Sequence, residues 1–496
     1  MRSDEERHQL PHEGRPSRYC PRLMRSFTLV GTVGGAATVA QSSEQNPNSL
    51  KHVVIVGGGF AGLNCARKLA ANPNVRVTLL DKNNYQQFQP LLYQVATAVL
   101  APGNIAFNLR ATFRGHPNVD VKMTEVVSVD LNARMVQTAE GQRYQGDFLV
   151  LAAGSQANFF GTPGADEHSY PLYSLHDAER LRSRILAMLE SADRDPLLVA
   201  KGALNFVIVG AGPTGTEMAG AFGDMLQASL KKETSKKGYR ILANQAQILL
   251  VDAGHAVLSA FSPKAQTYAA KVLEERGVQI RLGARVKEVG AGHVVLSDGT
   301  RIPTHTVIWA GGLKAASLSD SLGVKPGHGG RIDVAADFTV PGLTGVYALG
   351  DFANIAGKDG RPLPQLASVA EQSGKCCARN ILSDIAGKPR DSFHYLDKGI
   401  MAMIGRNSGV AEVGEHRHEL QGAVAFAAWL GVHAALLSST RAKIEAFLEW
   451  AWDYFGGTRD DAVLDRSQEL QINWNDDGEQ RASAASAPSS QTDIPP

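Results

Sequence analysis

The stretch KHVVIVGGGFAGLNCARKLAANPNVRVTLLD, residues 51–81, decides the fold. KHVVIV is a compact apolar run of the kind that forms a buried parallel strand. GGGFAG follows, then a segment with helical spacing, and then a second apolar run that ends at Asp81. Strand, glycine-rich turn, helix and strand in this order predict a complete βαβ unit and therefore an α/β fold.

The glycine-rich turn carries the spacing GxGxxG. Its glycines allow a tight turn, a close backbone approach to a pyrophosphate, and close packing of helix on strand. The following helix N-terminus offers free N–H groups and a partial positive charge to phosphates. Asp81 lies near the position of a carboxylate that holds ribose hydroxyls. The turn predicts a dinucleotide site formed by Gly57, Gly59, Gly62 and Asp81, with a turn that binds no ligand as the alternative.

The same pattern returns in LNFVIVGAGPTGTEMAGAFGD, residues 204–224, and reaches the apolar run QILLVD, residues 247–252. The longer spacing is explained by a Lys-rich insertion, KKETSKKGYR, which we expect to be an exposed loop. Asp252 would repel a 2′-phosphate, and the next two residues supply no arginine to receive one, which favours NADH over NADPH. The predicted second site consists of Gly210, Gly212, Gly215 and Asp252.

A later segment indicates which site holds which nucleotide. TGVYALGD places Gly350 and Asp351 just past an apolar run, and it resembles the GD pair that binds the ribityl and phosphate of FAD in two-dinucleotide flavoproteins. The earlier run FLVLAAG ends similarly at Gly154, which we also assign to the FAD site. FAD would then span the first turn and this late segment, with an NADH-binding domain inserted between them.

Composition excludes other classes of protein. Lys+Arg 50 against Asp+Glu 49 leaves a net charge of +1, so no basic excess indicates nucleic-acid binding. Four cysteines are too few and too scattered for a disulfide framework and fit a reducing compartment. No ligand spacing for zinc or iron is present, and we expect no metal site.

Several strings resemble the type II NADH dehydrogenases, the single-subunit NADH:quinone oxidoreductases. The resemblance runs from about Lys51 to about Leu464 and implies the fold of two-dinucleotide flavoprotein disulfide reductases, with two Rossmann-like domains and C-terminal amphipathic membrane-binding helices. It also implies that Glu217 lies near the nicotinamide and Lys398 near the flavin. The strings are NNYQQFQPLLYQVAT, GPTGTEMAG, VIWAGGLKAASL, ALGDFA and DKGIMAMIGRNSGVAEV.

One motif departs from the family. The glutamine-rich AQxxxQQ, where a quinone approaches the flavin, is matched here by Ala367, Ser368, Gln372 and Ser373, with Glu371 adjacent. Gln372 is therefore the one candidate for contact with a quinone headgroup, and the type of acceptor is left open. The helix that begins near Gln365 is expected to direct its positive N-terminus at the flavin ring.

The resemblance implies that hydride passes from NADH to FAD and electrons then pass to a membrane quinone without proton pumping. One alternative is a flavoreductase with a non-quinone acceptor, and another is a redox-sensing protein that only binds FAD and NADH. A disulfide reductase is disfavoured because Cys65 has no partner nearby in sequence. Cys376 and Cys377 are adjacent on a predicted helix, where their side chains diverge by about 100°, and we expect both to pack in the core.

The C-terminal region predicts contact with a membrane surface. No run reaches the ~20 apolar residues of a spanning helix, and residues 423–437 are shorter than that. Beyond them Ile444, Phe447, Leu448, Ala451, Trp452 and Phe455 follow helical spacing, while Trp450, Trp452 and Tyr454 suit an aromatic belt at an interface. An amphipathic helix docked on the body or on a second subunit is the alternative. We therefore expect a peripheral protein on the cytoplasmic face of the cell membrane, and a homodimer is left open.

These interpretations divide the chain into six parts. The tail is expected to be disordered because it is polar and Ser/Ala/Pro-rich. Residues 1–50 are polar and Arg-rich up to Arg25 and then contain an apolar run from Phe27 to Ala40. We interpret them as a disordered extension, with the core of a signal peptide as the alternative. The predicted parts are 1–50 as a disordered N-terminal extension, 51–169 as the first part of the FAD-binding domain, 170–312 as the NADH-binding domain, 313–390 as the second FAD part, 391–465 as the membrane-associated region, and 466–496 as a disordered tail.

Overall fold

The computed structural model describes residues 50–232, 245–437, 440–455 and 463. The predicted N-terminal extension, most of the Lys-rich insertion and the predicted C-terminal tail lie outside the described residues, as does Cys20. Across these described ranges, no helix has both the length and the apolar character that crossing a bilayer demands.

Residues 50–157 form the first βαβ unit and a small antiparallel sheet. Their elements are β1 (Lys51–Val56), α1 (Phe60–Ala70), β2 (Val75–Asp81), β3 (Tyr85–Gln87), α2 (Leu92–Ala96), α3 (Pro102–Ile105), β4 (Ala106–Asn108), α4 (Leu109–Thr112), β5 (Val119–Met123), β6 (Val126–Asp130), β7 (Met135–Thr138), β8 (Arg143–Gln145), β9 (Phe148–Leu151) and β10 (Ser155–Ala157). A 3-10 turn, Gln89–Leu91, precedes α2.

Residues 165–309 contain the second βαβ unit. Their elements are α5 (Ala165–His168), β11 (Ser169–Pro171), α6 (Leu175–Arg194), α7 (Leu197–Ala200), β12 (Asn205–Val209), α8 (Pro213–Lys232), β13 (Gln247–Val251), α9 (Pro263–Glu275), β14 (Val278–Arg281), β15 (Val286–Gly290), β16 (His293–Leu296), β17 (Arg301–Pro303) and β18 (Thr306–Trp309).

The remaining described residues return to the first unit and then form the C-terminal region. Their elements are β19 (Leu313–Ala315), β20 (Ile332–Asp333), β21 (Val346–Ala348), β22 (Ala353–Asn354), α10 (Ala367–Ile385), β23 (Gly399–Gly405), β24 (Ser408–Val413), β25 (His418–Gln421), α11 (Gly422–Leu436) and α12 (Thr440–Phe455), with 3-10 turns at Ser317–Ser321, His328–Gly330 and Gly350–Phe352.

The first large sheet is parallel and has the strand order β21-β9-β1-β2-β5. Val53 pairs with Val77 on one side and with Phe148 on the other, and β21 joins the far edge through Val346 and Leu149. The strands are rich in Val, Ile and Leu and are buried, as expected for a parallel sheet covered by helices. Because β21 comes about 200 residues after β9, the first unit is completed by a distant part of the chain.

The second large sheet repeats this arrangement with the order β11-β18-β12-β13-β14, again parallel. In both sheets the strand before the glycine turn is central, so both turns open at the carboxyl ends of the strands. Ligands of open α/β sheets bind at that edge. The described part of the chain is thus an α/β protein with two parallel sheets.

The C-terminal region packs onto the second unit rather than standing apart. β23, β24 and β25 form an antiparallel sheet that contacts α8 and α11. Gly220 in α8 is required there, because a Cβ at this position would lie 2.2 Å from the Ile404 carbonyl oxygen. Trp429 and Trp450 of the last two helices are buried in the same apolar core as α2, α6 and α8.

Candidate active site

The first glycine turn is shaped for a close-bound phosphate. Gly57 has φ +101°, and a Cβ there would lie 2.2 Å from the Ala152 carbonyl oxygen. A Cβ on Gly62 would lie 1.9 Å from the Gly57 carbonyl oxygen, so only glycine lets α1 begin here. Gly59 caps α1 without any side-chain hydrogen bond and faces open space. The first-turn amides of α1 are therefore offered to an anion rather than to a capping side chain.

The second turn has the same geometry. Gly210 has φ +104°, and a Cβ on Gly215 would lie 1.8 Å from the Gly210 carbonyl oxygen. Gly212, like Gly59, has no atom within 4 Å of the position its Cβ would occupy. The structure thus contains two glycine turns of the same geometry, and their role in binding a pyrophosphate stays a prediction.

The acids that end β2 and β13 brace these turns in the same way. Asp81 accepts hydrogen bonds from the Gly58 N–H at 2.6 Å and the Asn83 N–H at 2.7 Å. Asp252 accepts from the Ala211 N–H and the Gly254 N–H, both at 2.6 Å. Burial raises the pKa of Asp81 above its usual value. Each carboxylate has further lone pairs that could accept from ribose hydroxyls.

The late GD pair lies beside the first turn. Gly350 has φ +60°, and a Cβ there would come within 2.9 Å of the Ala61 Cβ in α1. Burial raises the pKa of Asp351, and its side chain accepts one hydrogen bond, from Ser155 Oγ at 3.1 Å. A buried carboxylate with few donors is stabilised by added hydroxyl groups. These residues therefore fit the hydroxyl-rich ribityl chain of FAD.

Gly154, which is also predicted to belong to the FAD site, follows β9 and precedes Ser155. It has φ +73°, and a Cβ there would lie 3.3 Å from the Tyr173 hydroxyl oxygen. That hydroxyl accepts a hydrogen bond from the Ser155 backbone N–H at 3.1 Å and lies within hydrogen-bond distance, 2.9 Å, of the Ser155 hydroxyl that donates to Asp351. Burial, together with the Asp351 charge, raises the pKa of Tyr173 to about 12, so this phenol stays neutral at physiological pH.

Glu217 lies in the interior, in the first turns of α8. Its side chain is 8% exposed. Its Oε1 accepts hydrogen bonds from the Met403 N–H at 3.1 Å and from the Trp429 indole N–H at 3.3 Å. Burial raises the pKa of Glu217 to about 8, and the two hydrogen bonds only partly oppose this effect. At neutral pH the site therefore holds mainly a protonated carboxylic acid.

Glu217 also borders a cavity of about 360 Å³ between α8, β23 and the last two helices. Most of its wall is apolar, including Phe426, Leu430 and Phe447. Ionisable groups on the wall include Glu217, Asp224 and Arg406. Its shape and lining suit an apolar ligand with a small polar head.

Of the other two predicted catalytic residues, Gln372 on α10 contacts the segment that leads into β23, and Lys398 lies on that segment. The Gln372 amide donates to the Leu396 carbonyl oxygen and accepts from the Leu396 N–H, both at 3.0 Å. Lys398, exposed, follows two residues later. β23, which follows this segment, carries Met403, whose N–H donates to Glu217. Residues 396–403 therefore include Lys398 and contact both Gln372 and Glu217.

Sequence reasoning missed Trp429, Met403 and the buried Trp450. Trp450 was predicted to lie in an interfacial belt, and this prediction is wrong: its indole N–H donates to Gln94 Oε1 at 2.7 Å in the core. Gln94 lies in the string NNYQQFQPLLYQVAT, but nothing in that string indicated that Trp450 would be its hydrogen-bond partner.

The expected packing role of the cysteines agrees with their burial. Cys65, Cys376 and Cys377 are all buried and unoxidised.

Within the described ranges, no group of three or more His, Cys, Asp or Glu side chains is arranged to hold a metal ion.

Comparison with known proteins agrees with this geometry. The family model for pyridine nucleotide-disulphide oxidoreductases matches residues 51–374. Type II NADH:quinone oxidoreductase Ndh of Mycobacterium tuberculosis is 36% identical, over 86% of this chain and 93% of the relative. The chain belongs to the type II NADH:quinone oxidoreductase family.

Further members support the assignment. NdhA of the same organism is 34% identical over 82% of this chain and 88% of its own length. The structure of NDH2 from Plasmodium falciparum in complex with NADH has a TM-score of 0.75 and 19% identity, covering 82% of this chain and 99% of that one, which shows the fold. The family predicted from the sequence is confirmed.

Proposed function

We propose that the chain is an NADH:quinone oxidoreductase that passes a hydride from NADH to FAD and then electrons to a membrane quinone, without proton pumping. It uses FAD and NADH as cofactors. The observation that carries the proposal is the pair of equivalent glycine cradles, one of which is completed by the Gly350–Asp351 segment. The names of the relatives support the same activity.

FAD, when bound, supplies the chemistry of accepting a hydride and releasing electrons, while the protein binds and orients. In the proposed arrangement, the α1 amides hold the FAD pyrophosphate, and Asp81 and Asp351 accept from its ribose and ribityl hydroxyls. The N-terminus of α10 at Ala367 would offer its partial positive charge to the flavin ring. The Gln365 side chain donates to the Asp351 carbonyl oxygen at 3.2 Å and fixes the start of this helix against the GD pair.

The NADH side uses Gly210, Gly212 and Gly215 for the pyrophosphate and Asp252 for the adenosine ribose. Glu217 is proposed to orient the nicotinamide from inside the site, as a neutral acid that both donates and accepts hydrogen bonds. Lys398 is proposed to lie near the flavin, and Gln372 to contact the quinone headgroup.

The quinone is proposed to arrive from the membrane along the last two helices. On α12, Ile444, Phe447, Leu448 and Trp452 are each more than half exposed, while Ala442, Ala446 and Trp450 are buried. An outward apolar face of this kind suits an interfacial helix, and the apolar cavity beside it would receive a lipid-soluble ligand. We further propose peripheral attachment to the cytoplasmic face of the membrane; a homodimer is left open.

The membrane assignment is tested by vesicle flotation of the double variant Ile444→Glu/Leu448→Glu. We expect binding to fall strongly because two carboxylates would enter the apolar interface. Leu197→Glu is the matched control, since Leu197 is 77% exposed on α7. If the double variant floats with the vesicles as well as the wild type does, the proposed membrane contact of α12 is wrong.

A non-quinone acceptor is the second candidate. Gln372 is already paired with the Leu396 backbone on both its donor and its acceptor side, which reduces its capacity to bind a quinone. Steady-state NADH oxidation by the purified protein separates the two: turnover with short-chain quinones supports the first, and turnover only with dyes or protein acceptors supports the second.

A further inference from the structure

We propose that Trp429 is the positioning residue for the Glu217 carboxyl group, so that α11 forms part of the nicotinamide side of the active site. This inference rests on the proposed function of Glu217 in the NADH reaction. It concerns two residues 212 positions apart in sequence.

The contact is direct and protected from water. Trp429 is fully buried, and its indole N–H donates to Glu217 Oε1 at 3.3 Å. The same oxygen accepts from the Met403 N–H, so a helix and a strand of the C-terminal region together fix one carboxyl oxygen. Indole is a donor only, so the Glu217 oxygen that it contacts must act as the acceptor of this hydrogen bond.

The indole is itself held rigidly. His433, one turn later on α11, stacks on Trp429 with ring centroids 3.9 Å apart, and its Nδ1 bonds to the Trp429 carbonyl oxygen at 2.9 Å. The Trp450 ring packs near Trp429, with ring centroids 5.9 Å apart, whereas its indole N–H donates to Gln94 and not to Glu217. Side chains packed in this way preorganise a site more precisely than a mobile surface residue could.

Two neighbouring titratable groups stay neutral while Glu217 titrates. Burial lowers the pKa of His433 to about 4 and raises the pKa of Tyr93 well above its ordinary value. We therefore expect a titration of this cluster near pH 8 to come from Glu217. The other ionisable groups around it are Tyr93 from α2, which interacts electrostatically with Glu217, Asp224 from α8 and Arg406 after β23, which line the same cavity, and His433 from α11, which stacks on Trp429.

The first test follows the pH dependence of anaerobic flavin reduction by NADH in the full-length holoenzyme. A donor to the ionised form lowers a carboxyl pKa, so Trp429→Phe should raise the midpoint by about one unit. Trp450→Phe is the matched control, since it removes an indole N–H that donates to Gln94 and not to Glu217 and leaves an aromatic ring in place. Its midpoint should equal that of the wild type. An unshifted Trp429→Phe midpoint overturns the proposal.

The second test needs no turnover and remains informative if Trp429→Phe folds poorly. Indole emission of the wild-type protein should change with a midpoint near pH 8, and Glu217→Gln should abolish that change. If the change persists in Glu217→Gln, the proposal fails. A wild type that does not reduce flavin with NADH but shows this titration would instead refute the proposed function and leave the contact standing.

Discussion

Replacing Glu217 with glutamine should change how stability depends on pH. Glu217 is buried, and its pKa in the folded protein is about 8. In the unfolded chain a glutamate titrates near 4.3. Because the folded pKa is raised, the folded state retains a proton that the unfolded state has released, and stability falls as pH rises through this window.

The magnitude follows from the same two values. A separation between about 4.3 and about 8 corresponds to about 5 kcal/mol, of which about 4 kcal/mol is lost between pH 5 and pH 8. Gln cannot ionise, and its carbonyl oxygen can still accept from Met403 and Trp429. Its free energy of unfolding should therefore be lower than or equal to that of the wild type near pH 5 and higher near pH 8.

The assay is thermal unfolding of both proteins, without NADH, across this pH range. The difference in Tm between Glu217→Gln and the wild type should grow steadily toward alkaline pH. Asp224→Asn is the control on the same helix: it removes an ion pair with Arg276, with a 3.0 Å N–O distance, and should lower the Tm without reproducing the growing stabilisation. Parallel Tm curves for Glu217→Gln and the wild type would refute the reasoning.

Three further perturbations separate the parts of the site. Gly62→Ala should abolish FAD retention, whereas Gly215→Ala should leave the protein yellow and weaken NADH binding at least tenfold, because each new Cβ overlaps a turn carbonyl. Flavin absorbance and NADH-binding titrations of the two variants check this. Loss of FAD from both variants would contradict it. Asp252→Ala should reduce the preference for NADH over NADPH by about tenfold, roughly 1.4 kcal/mol. The preference is measured as the ratio of kcat/KM for NADH to kcat/KM for NADPH. An unchanged ratio would show that Asp252 does not select the nucleotide. Cys377→Ser should retain turnover with quinone, because this buried thiol is assigned only to packing; loss of activity in a stably folded variant would indicate a redox role.

The features predicted from the sequence are those that short segments encode. The two βαβ units, their glycine turns and the acids Asp81 and Asp252 all follow from patterns of a few dozen residues. The glycines are predictable because no other residue fits these positions, which need a positive φ or close packing of the helix on the turn. A Cβ there would collide with a backbone carbonyl. Membership of the family followed from longer strings and is confirmed.

The contacts that complete the site were not predictable in the same way. Trp429 and Glu217 are brought together only when α11 folds back on α8, and no local pattern records that approach. Trp450 was misassigned because tryptophan suits both a membrane interface and a core with a hydrogen-bond acceptor; the buried Gln94 oxygen decides between them. The role of Gln372 depends on the backbone of Leu396, whose position is set by the path into β23.

The most direct test of the central claim is anaerobic titration of the purified protein with NADH, followed by its visible absorbance. The account predicts a yellow protein whose flavin absorbance is lost in proportion to added NADH and returns when a short-chain quinone is added. A colourless protein that does not take up FAD on reconstitution, or a flavin that NADH leaves unchanged, would contradict it.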